Sequence, residues 1–265
     1  MPLDFSANKY RLLCENLAAA GYHSIRFVEY VTSKGKNHEK KRVILRHDVD
    51  RFPASALALA QIEHSLGMTA SYYFRVPNTF QPKIISAVHS LGHEIGLHYE
   101  VLDKARGDII RARQFLEQDL KHLREISPVE TVAMHGNPLT PFDNRDIWDH
   151  LELGDYGLVG EAYLSVDFNR LSYFSDTGRT WKRNHFNIYD RPPLGSRDLD
   201  GHLDPKSTDD LIKLIQNSDK DMYILTHPER WPVSFAGWLL SYAKDIIANP
   251  LKLIFQLKHR IAGRS

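Results

Sequence analysis

A parallel α/β fold is the class this 265-residue sequence predicts, and three observations point to it. Short apolar runs alternate along the chain with amphipathic stretches of helical period. Four of the runs end in histidine or in a His/Asp cluster: RVILRHDVD, HEIGLH, TVAMHG and MYILTHPE. No internal repeat, low-complexity tract or Gly/Ser linker interrupts the alternation, so one domain over residues 1–230 with an extension over 231–265 is the simplest organisation.

The elements follow in order. Residues 8–20 place Tyr10, Leu13, Leu17 and Ala20 on one helical face. Residues 42–45, RVIL, form a short buried strand between charged flanks. Pro53 suits the first turn of a helix that Gly67 ends. TASYYF (69–74) is aromatic and strand-like, and a helix near 81–91 leads to the strand HEIGLH (93–98). Ile109, Ala112, Phe115, Leu116, Leu120 and Leu123 make an amphipathic helix over 108–125, stopped by Pro128. TVAMH (131–135) and MYILTH (222–227) are strands, the second preceded by the helix STDDLIKLIQ (207–216). Residues 138–200 hold several short strands in an order the pattern does not specify.

Composition narrows the function. Hydrophobic residues are 42% and charged residues 25%, ordinary for a globular enzyme with a full core. A net charge of +1 provides no global field toward nucleic acid. The one cysteine, Cys14, excludes an intrachain disulfide and any CxxC site. No run of 18 apolar residues is present, and the opening MPLDFSANKYRLL lacks the pattern of a secretory signal. A cytoplasmic protein is expected.

The strand ends carry the chemistry. In parallel α/β folds the C-terminal ends of the strands share one face, where sites are built. Asp48, Asp50, His98, His135 and His227 should therefore converge there. Nitrogen and carboxylate donors without thiolates suit Zn²⁺ or another first-row divalent ion. A leftover aspartate can serve as base and a separate histidine as acid, the minimal equipment for metal-assisted hydrolysis of an amide or ester.

RHDVD, GHEIGLHYE and ILTHPERW resemble, over residues 40–231, the motifs of the polysaccharide deacetylases, the NodB-homology domain of carbohydrate esterase family 4. The resemblance implies a distorted (β/α) barrel of about seven strands, here with a C-terminal helical extension. It implies Asp48 as catalytic base, Asp50 and His98 as metal ligands, and His227, in Leu225-Thr226-His227, as catalytic acid. Two departures stand out. The family's second histidine ligand falls on Leu102, so His135 is the preferred third ligand and Glu100 the alternative. HGNPLTP replaces the family's arginine-proline-glycine motif, leaving Arg46, Arg75 and Arg230 to compete as the arginine that orients the base.

Asn137, Asp176, Arg179, Arg75 and Trp231 are the substrate-binding candidates. Asp176 and Arg179 lie in the polar turn SDTGRTW, where Asp176 would orient a catalytic group or Arg179 bind an anionic sugar. Trp148, Trp181 and Trp231 are either buried or stacked on sugar faces, and His93, at the start of its strand, should point away from the site. Residues 231–265 combine Trp, Leu, Ile and Phe with Lys258, His259, Arg260 and Arg264. They form either helices that cover the barrel or a dimer partner, or a peripheral membrane contact.

The expected function is a metal-dependent deacetylase that removes an N- or O-acyl group from a sugar, free or linked to a nucleotide or lipid. Its cofactor would be one divalent ion, zinc by preference. The resemblance implies a setting in O-antigen-type surface-polysaccharide assembly, in the cytoplasm or at the inner face of the membrane. The alternatives are an inactive barrel that binds sugar or assists assembly, and a deformylase of a lipid-linked amino sugar.

Overall fold

The structure is a computed structural model, which describes residues 3–33, 40–137, 140–182 and 204–246. Its centre is a parallel sheet of β1 (His23–Ile25), β2 (Arg42–Val49), β3 (Ser71–Phe74), β4 (Glu94–Tyr99), β5 (Thr131–Met134), β6 (Gly160–Glu161), β7 (Leu171–Ser175) and β8 (Asp221–Thr226). Seven strands run in the order β6-β5-β4-β3-β2-β8-β7, and β1 pairs with the start of β2. Every pairing is parallel. The helices α1 (Ala7–Ala19), α2 (Phe27–Thr32), α3 (Pro53–Ser65), α4 (Pro82–Ser90), α5 (Val101–Ala105), α6 (Ile109–Arg124) and α7 (Thr208–Asn217) accompany it. This is the parallel α/β architecture that the alternation predicts, curved into a half-barrel as the motif resemblance implies.

Local chemistry sets the helix boundaries. Ser6, Asp108 and Ser207 each cap a helix by accepting from a backbone N–H with the side chain. Pro53 and Pro82 open α3 and α4, where no N–H is needed. Gly67 follows α3 with φ of +68°, a conformation glycine adopts without strain.

The two faces of the sheet bury different residues. Val43, Leu45, Val49, Tyr72 and Phe74 pack in the larger core, together with residues of α1, α3 and α7. Ile44, Tyr73, Ala133, Tyr223 and Leu225 point the other way, into the barrel, with Phe27, Tyr163 and Phe168. Gly96 on β4 makes room for this inner layer, since a Cβ there would stand 2.3 Å from the Tyr73 ring.

β2 is longer than the four apolar residues suggest and carries Arg46, His47 and Asp48 inside the sheet, each at most 1% exposed. The charged residues do not end the strand because each has a buried partner, described below. The short strands β1 and β6, the helices α2 and α5, and β7 carry too little periodicity to be read from sequence. Of the stretch 138–200, residues 138–139 and 183–200 lie outside the described residues, as does 247–265 of the C-terminal extension. Among the described residues, no helix is long and apolar enough to cross a membrane.

Candidate metal centre and flanking groups

Because all strands run the same way, five of them deliver polar side chains to one edge. Asp48 is in β2 and Asp50 follows it; His98 is in β4; His135 follows β5; Asp176 follows β7; His227 follows β8. Two ladder extensions fix the last residues of this group. The His135 N–H donates to the Tyr99 carbonyl (2.8 Å), and the Asp176 N–H to the Leu225 carbonyl (3.1 Å).

Asp50, His98 and His135 form one cluster. Asp50 Oδ1 is 3.2 Å from His98 Nε2 and 3.1 Å from His135 Nδ1, and the two nitrogens are 3.3 Å apart. Donors held 2.0–2.1 Å from a tetrahedral Zn²⁺ stand about 3.3 Å from one another, so the trio has the spacing such an ion needs. His98 Nδ1 faces the Ala133 carbonyl at 3.0 Å. A carbonyl only accepts, so Nδ1 carries the proton and Nε2 is the ring nitrogen turned to the cluster, in the position to ligate. Asp50 Oδ1 is buried with no hydrogen-bond partner, although two imidazoles face it. Burial works against its charge, but His135 and then His98 hold its carboxyl well below the usual range. A buried carboxylate oxygen beside two imidazole nitrogens is a donor set that fits a divalent cation.

Glu100, the alternative third ligand, is engaged elsewhere. It accepts from Arg75 Nη2 at 2.6 Å and lies 4.0 Å from the far nitrogen of His135. Arg75 also donates to the Asp50 carbonyl at 3.3 Å. Arg75 therefore braces the backbone of one member of the trio and the carboxylate beside another. Leu102, where a second histidine would stand, is core, 4% exposed.

Asp48 sits next to the cluster, with Oδ2 3.7 Å from His98 Nε2. Arg46, two residues earlier on the same face of β2, grips both its oxygens, Nε to Oδ1 at 2.8 Å and Nη2 to Oδ2 at 2.7 Å. The guanidinium lies over the Tyr163 ring, 4.3 Å from its centroid. Of the three candidate arginines, Arg46 is the one that orients Asp48. The i, i+2 spacing on a strand was the available signal, since such residues share a face.

His227, just past the end of β8, is held by Asp176. Asp176 Oδ1 accepts from His227 Nδ1 at 2.6 Å and from Arg230 Nη1 at 2.9 Å, and Oδ2 accepts from the His227 N–H and the Trp231 indole. Burial alone would raise this carboxyl, but Arg230 and then His227 bring it down to about 2. Burial and Arg230 push the His227 imidazole down; the charge and hydrogen bond of Asp176, aided by Asp50, outweigh them and raise it to about 9. His227 is thus a cation at neutral pH, with Nε2–H left to donate.

Other candidates fall away from this edge or beside it. Trp231 is fully buried against Phe5, Tyr10 and Trp181, so it does not stack on a ligand; its role is to hold Asp176. Arg179 turns to Ser241, Asp245 and the Phe5 carbonyl, away from the cluster. Trp181 is buried and donates to Thr208, and Trp148 donates to the Tyr99 hydroxyl. His93 is buried at the far end of its strand between Ala60 and Ala70. Asn137 is half-buried two residues past His135, and its carbonyl accepts from the Thr140 N–H at 3.3 Å.

One residue escaped the pattern. Glu229, two residues past His227, buries Oε2 with no hydrogen-bond partner. Burial, and then the charge of Asp50, push its carboxyl up to about 7. Only its place in THPER hints at this.

No family model matches the chain, and no curated protein matches it. Among solved structures, the chain is similar to a Streptococcus mutans CE4 esterase at a TM-score of 0.47 and 14% identity, over 87% of this chain and 89% of that one.

Proposed function

We propose that the protein is a metal-dependent hydrolase that removes an acyl group from a sugar. One observation carries the reading: a trio of donors spaced for a divalent ion stands at the sheet edge where an arginine-held carboxylate and an aspartate-held histidine also arrive. A binding protein has no use for a base and an acid flanking one site.

Asp50, His98 and His135 would hold the ion, with zinc the ion their donor set suits best. When bound, it would polarise the acyl carbonyl and acidify a water. Asp48, its orientation fixed by Arg46, takes the proton of the attacking water. His227 gives its Nε2 proton to the departing amine or alkoxide, while Asp176 holds the ring and stabilises its charge. The motif resemblance supplies the substrate class, an N- or O-acylated sugar, and the wider setting of surface-polysaccharide assembly in the cytoplasm.

Acetate release from acetylated sugars and from 4-nitrophenyl acetate tests the proposal, with and without added Zn²⁺. Release that depends on the ion and disappears in Asp48→Asn is the expected result. Sugar binding by calorimetry with no release under any metal would replace the hydrolase by a binding barrel.

A further inference from the structure

The helix over residues 235–246, α8, has its polarity inside out. A surface helix normally turns its apolar stripe to the core and its charges to water. Here the residues facing the protein are Gly237, Trp238, Ser241 and Asp245, all half-buried. They dock by polar bonds: Trp238 Nε1 to the Asp4 carbonyl (2.8 Å), Ser241 Oγ to the Glu229 carbonyl (2.9 Å), and Arg179 to Ser241 and Asp245 (3.0 and 3.2 Å). The Arg179 guanidinium also lies over the Trp238 ring, which fixes the helix from below.

The outward residues are Phe235, Ala236, Leu239, Leu240, Tyr242, Ala243, Lys244 and Ile246. Phe235 is 67% exposed, Leu240 65%, and Leu239 and Ile246 53% each, with Val233 just ahead at 72%. A lone exposed Leu needs no explanation, but a whole apolar helix face marks a contact surface. The rotation follows from the docking bonds, because Arg179 and Glu229 engage the polar side of the helix and leave the apolar side outward.

The sequence beyond the helix indicates which contact. Residues 247–265 contain Lys252, Lys258, Arg260 and Arg264 and no acidic residue. The whole chain is only +1, so the positive surplus is concentrated in this segment and the remainder is net negative. We infer that α8 and the basic segment after it dock the protein on an anionic lipid surface, with Val233, Phe235, Leu239, Leu240 and Ile246 in the headgroup and acyl boundary. The inference does not depend on the proposed chemistry. It does bear on that chemistry: Ser241 is bonded to the Glu229 carbonyl, two residues past His227, so a docked α8 would hold the site edge close to the lipid.

Co-sedimentation of the full chain with vesicles tests it. Phosphatidylcholine containing 30% phosphatidylglycerol is compared with phosphatidylcholine alone, at low and high salt. Partitioning should be at least about tenfold stronger on the anionic vesicles and should weaken in high salt. Leu239→Asp with Leu240→Asp should reduce it about tenfold or more, with an unchanged thermal midpoint because neither side chain packs inward. Lys258→Gln with Arg260→Gln, which leaves the sequence of α8 unchanged, should also reduce it. Sedimentation that is absent, or equal in the wild type and both double variants, would overturn the inference. So would a dimer in light scattering that the Leu239/Leu240 variant splits while vesicle binding stays absent; the face would then belong to a second copy.

Discussion

His47 in β2 and Asp50 just after it enter two clusters that both pair histidine with carboxylate and differ in how fully their polar atoms are bonded. On the helix side, His47 meets Glu63. Glu63 Oε1 accepts from His47 at 2.7 Å and Tyr10 at 2.5 Å, and Oε2 accepts from Tyr72 at 2.7 Å. Thr226 bonds the other ring nitrogen of His47 at 2.6 Å, so the cluster is complete. On the barrel side, Asp50 meets His98 and His135, yet its buried Oδ1 finds no hydrogen bond. A saturated polar cluster rigidifies a core; one whose carboxylate oxygen lies between two imidazoles without a hydrogen bond is a donor set open to a cation. Both contain a buried histidine and a carboxylate, so residue type alone does not separate structure from site. Saturation does.

The contrast can be broken most directly at Asp48. Asp48→Asn should lower acyl hydrolysis by about 10²–10⁴-fold while the protein still binds its metal. Unchanged acetate release would remove Asp48 from the role of base. Stability should divide the two clusters in the opposite sense. Glu63→Ala strands His47, Tyr10 and Tyr72 and should cost about 3–5 kcal/mol in urea denaturation of chelator-treated protein. Asp50→Asn should cost clearly less than Glu63→Ala, because it strands no network of buried hydroxyls. Equal losses would mean that the Asp50 cluster is structural too.

The His227–Asp176 pair sharpens the comparison through pH. The imidazole is raised from 6.5 to about 9, so its contribution is complete below pH 6.5 and is lost as pH rises through about 9. That amounts to about 3 kcal/mol across the window. The Asp176 carboxyl is lowered from 3.8 to about 2, so its own contribution holds above 3.8 and fails as pH falls through 2. Asp176→Asn should flatten the alkaline slope of stability and move the alkaline limb of activity from about 9 toward 6.5. An alkaline limb that stays at 9 would show that another group is the acid. The smallest effect is expected at Glu100. Glu100→Gln should keep the metal but weaken its binding about 10-fold, as a supporting group rather than a ligand. Complete loss of metal in calorimetric titration would make Glu100 the ligand.

Sequence carried most of this architecture because the site is built on strand ends. Once RVILRHDVD, HEIGLH, TVAMH and MYILTH are read as parallel strands, the convergence of Asp48, Asp50, His98, His135 and His227 follows from topology. The errors came from groups whose position depends on packing in three dimensions. Trp231 and Arg179 lie beside motif residues in sequence, yet Trp231 enters the core and Arg179 turns to α8. Arg46 could be placed on the face of Asp48, but its bidentate grip depends on burial that the sequence does not display. Glu229 owes its unpartnered oxygen to a turn between Pro228 and Arg230 that has no periodicity. The outward apolar face of α8 was hidden for a similar reason: the hydrophobic residues were plain, but docking by the polar side is set by Arg179 and Glu229.

Metal content tests the central claim most directly. Inductively coupled plasma mass spectrometry on untagged protein, after reconstitution with Zn²⁺ and dialysis, would compare the wild type with His98→Ala, His135→Ala and Glu100→Gln. About one equivalent should remain in the wild type and in Glu100→Gln and be lost from both histidine variants. No bound metal in the wild type, or full retention in either histidine variant, would contradict a centre built from Asp50, His98 and His135.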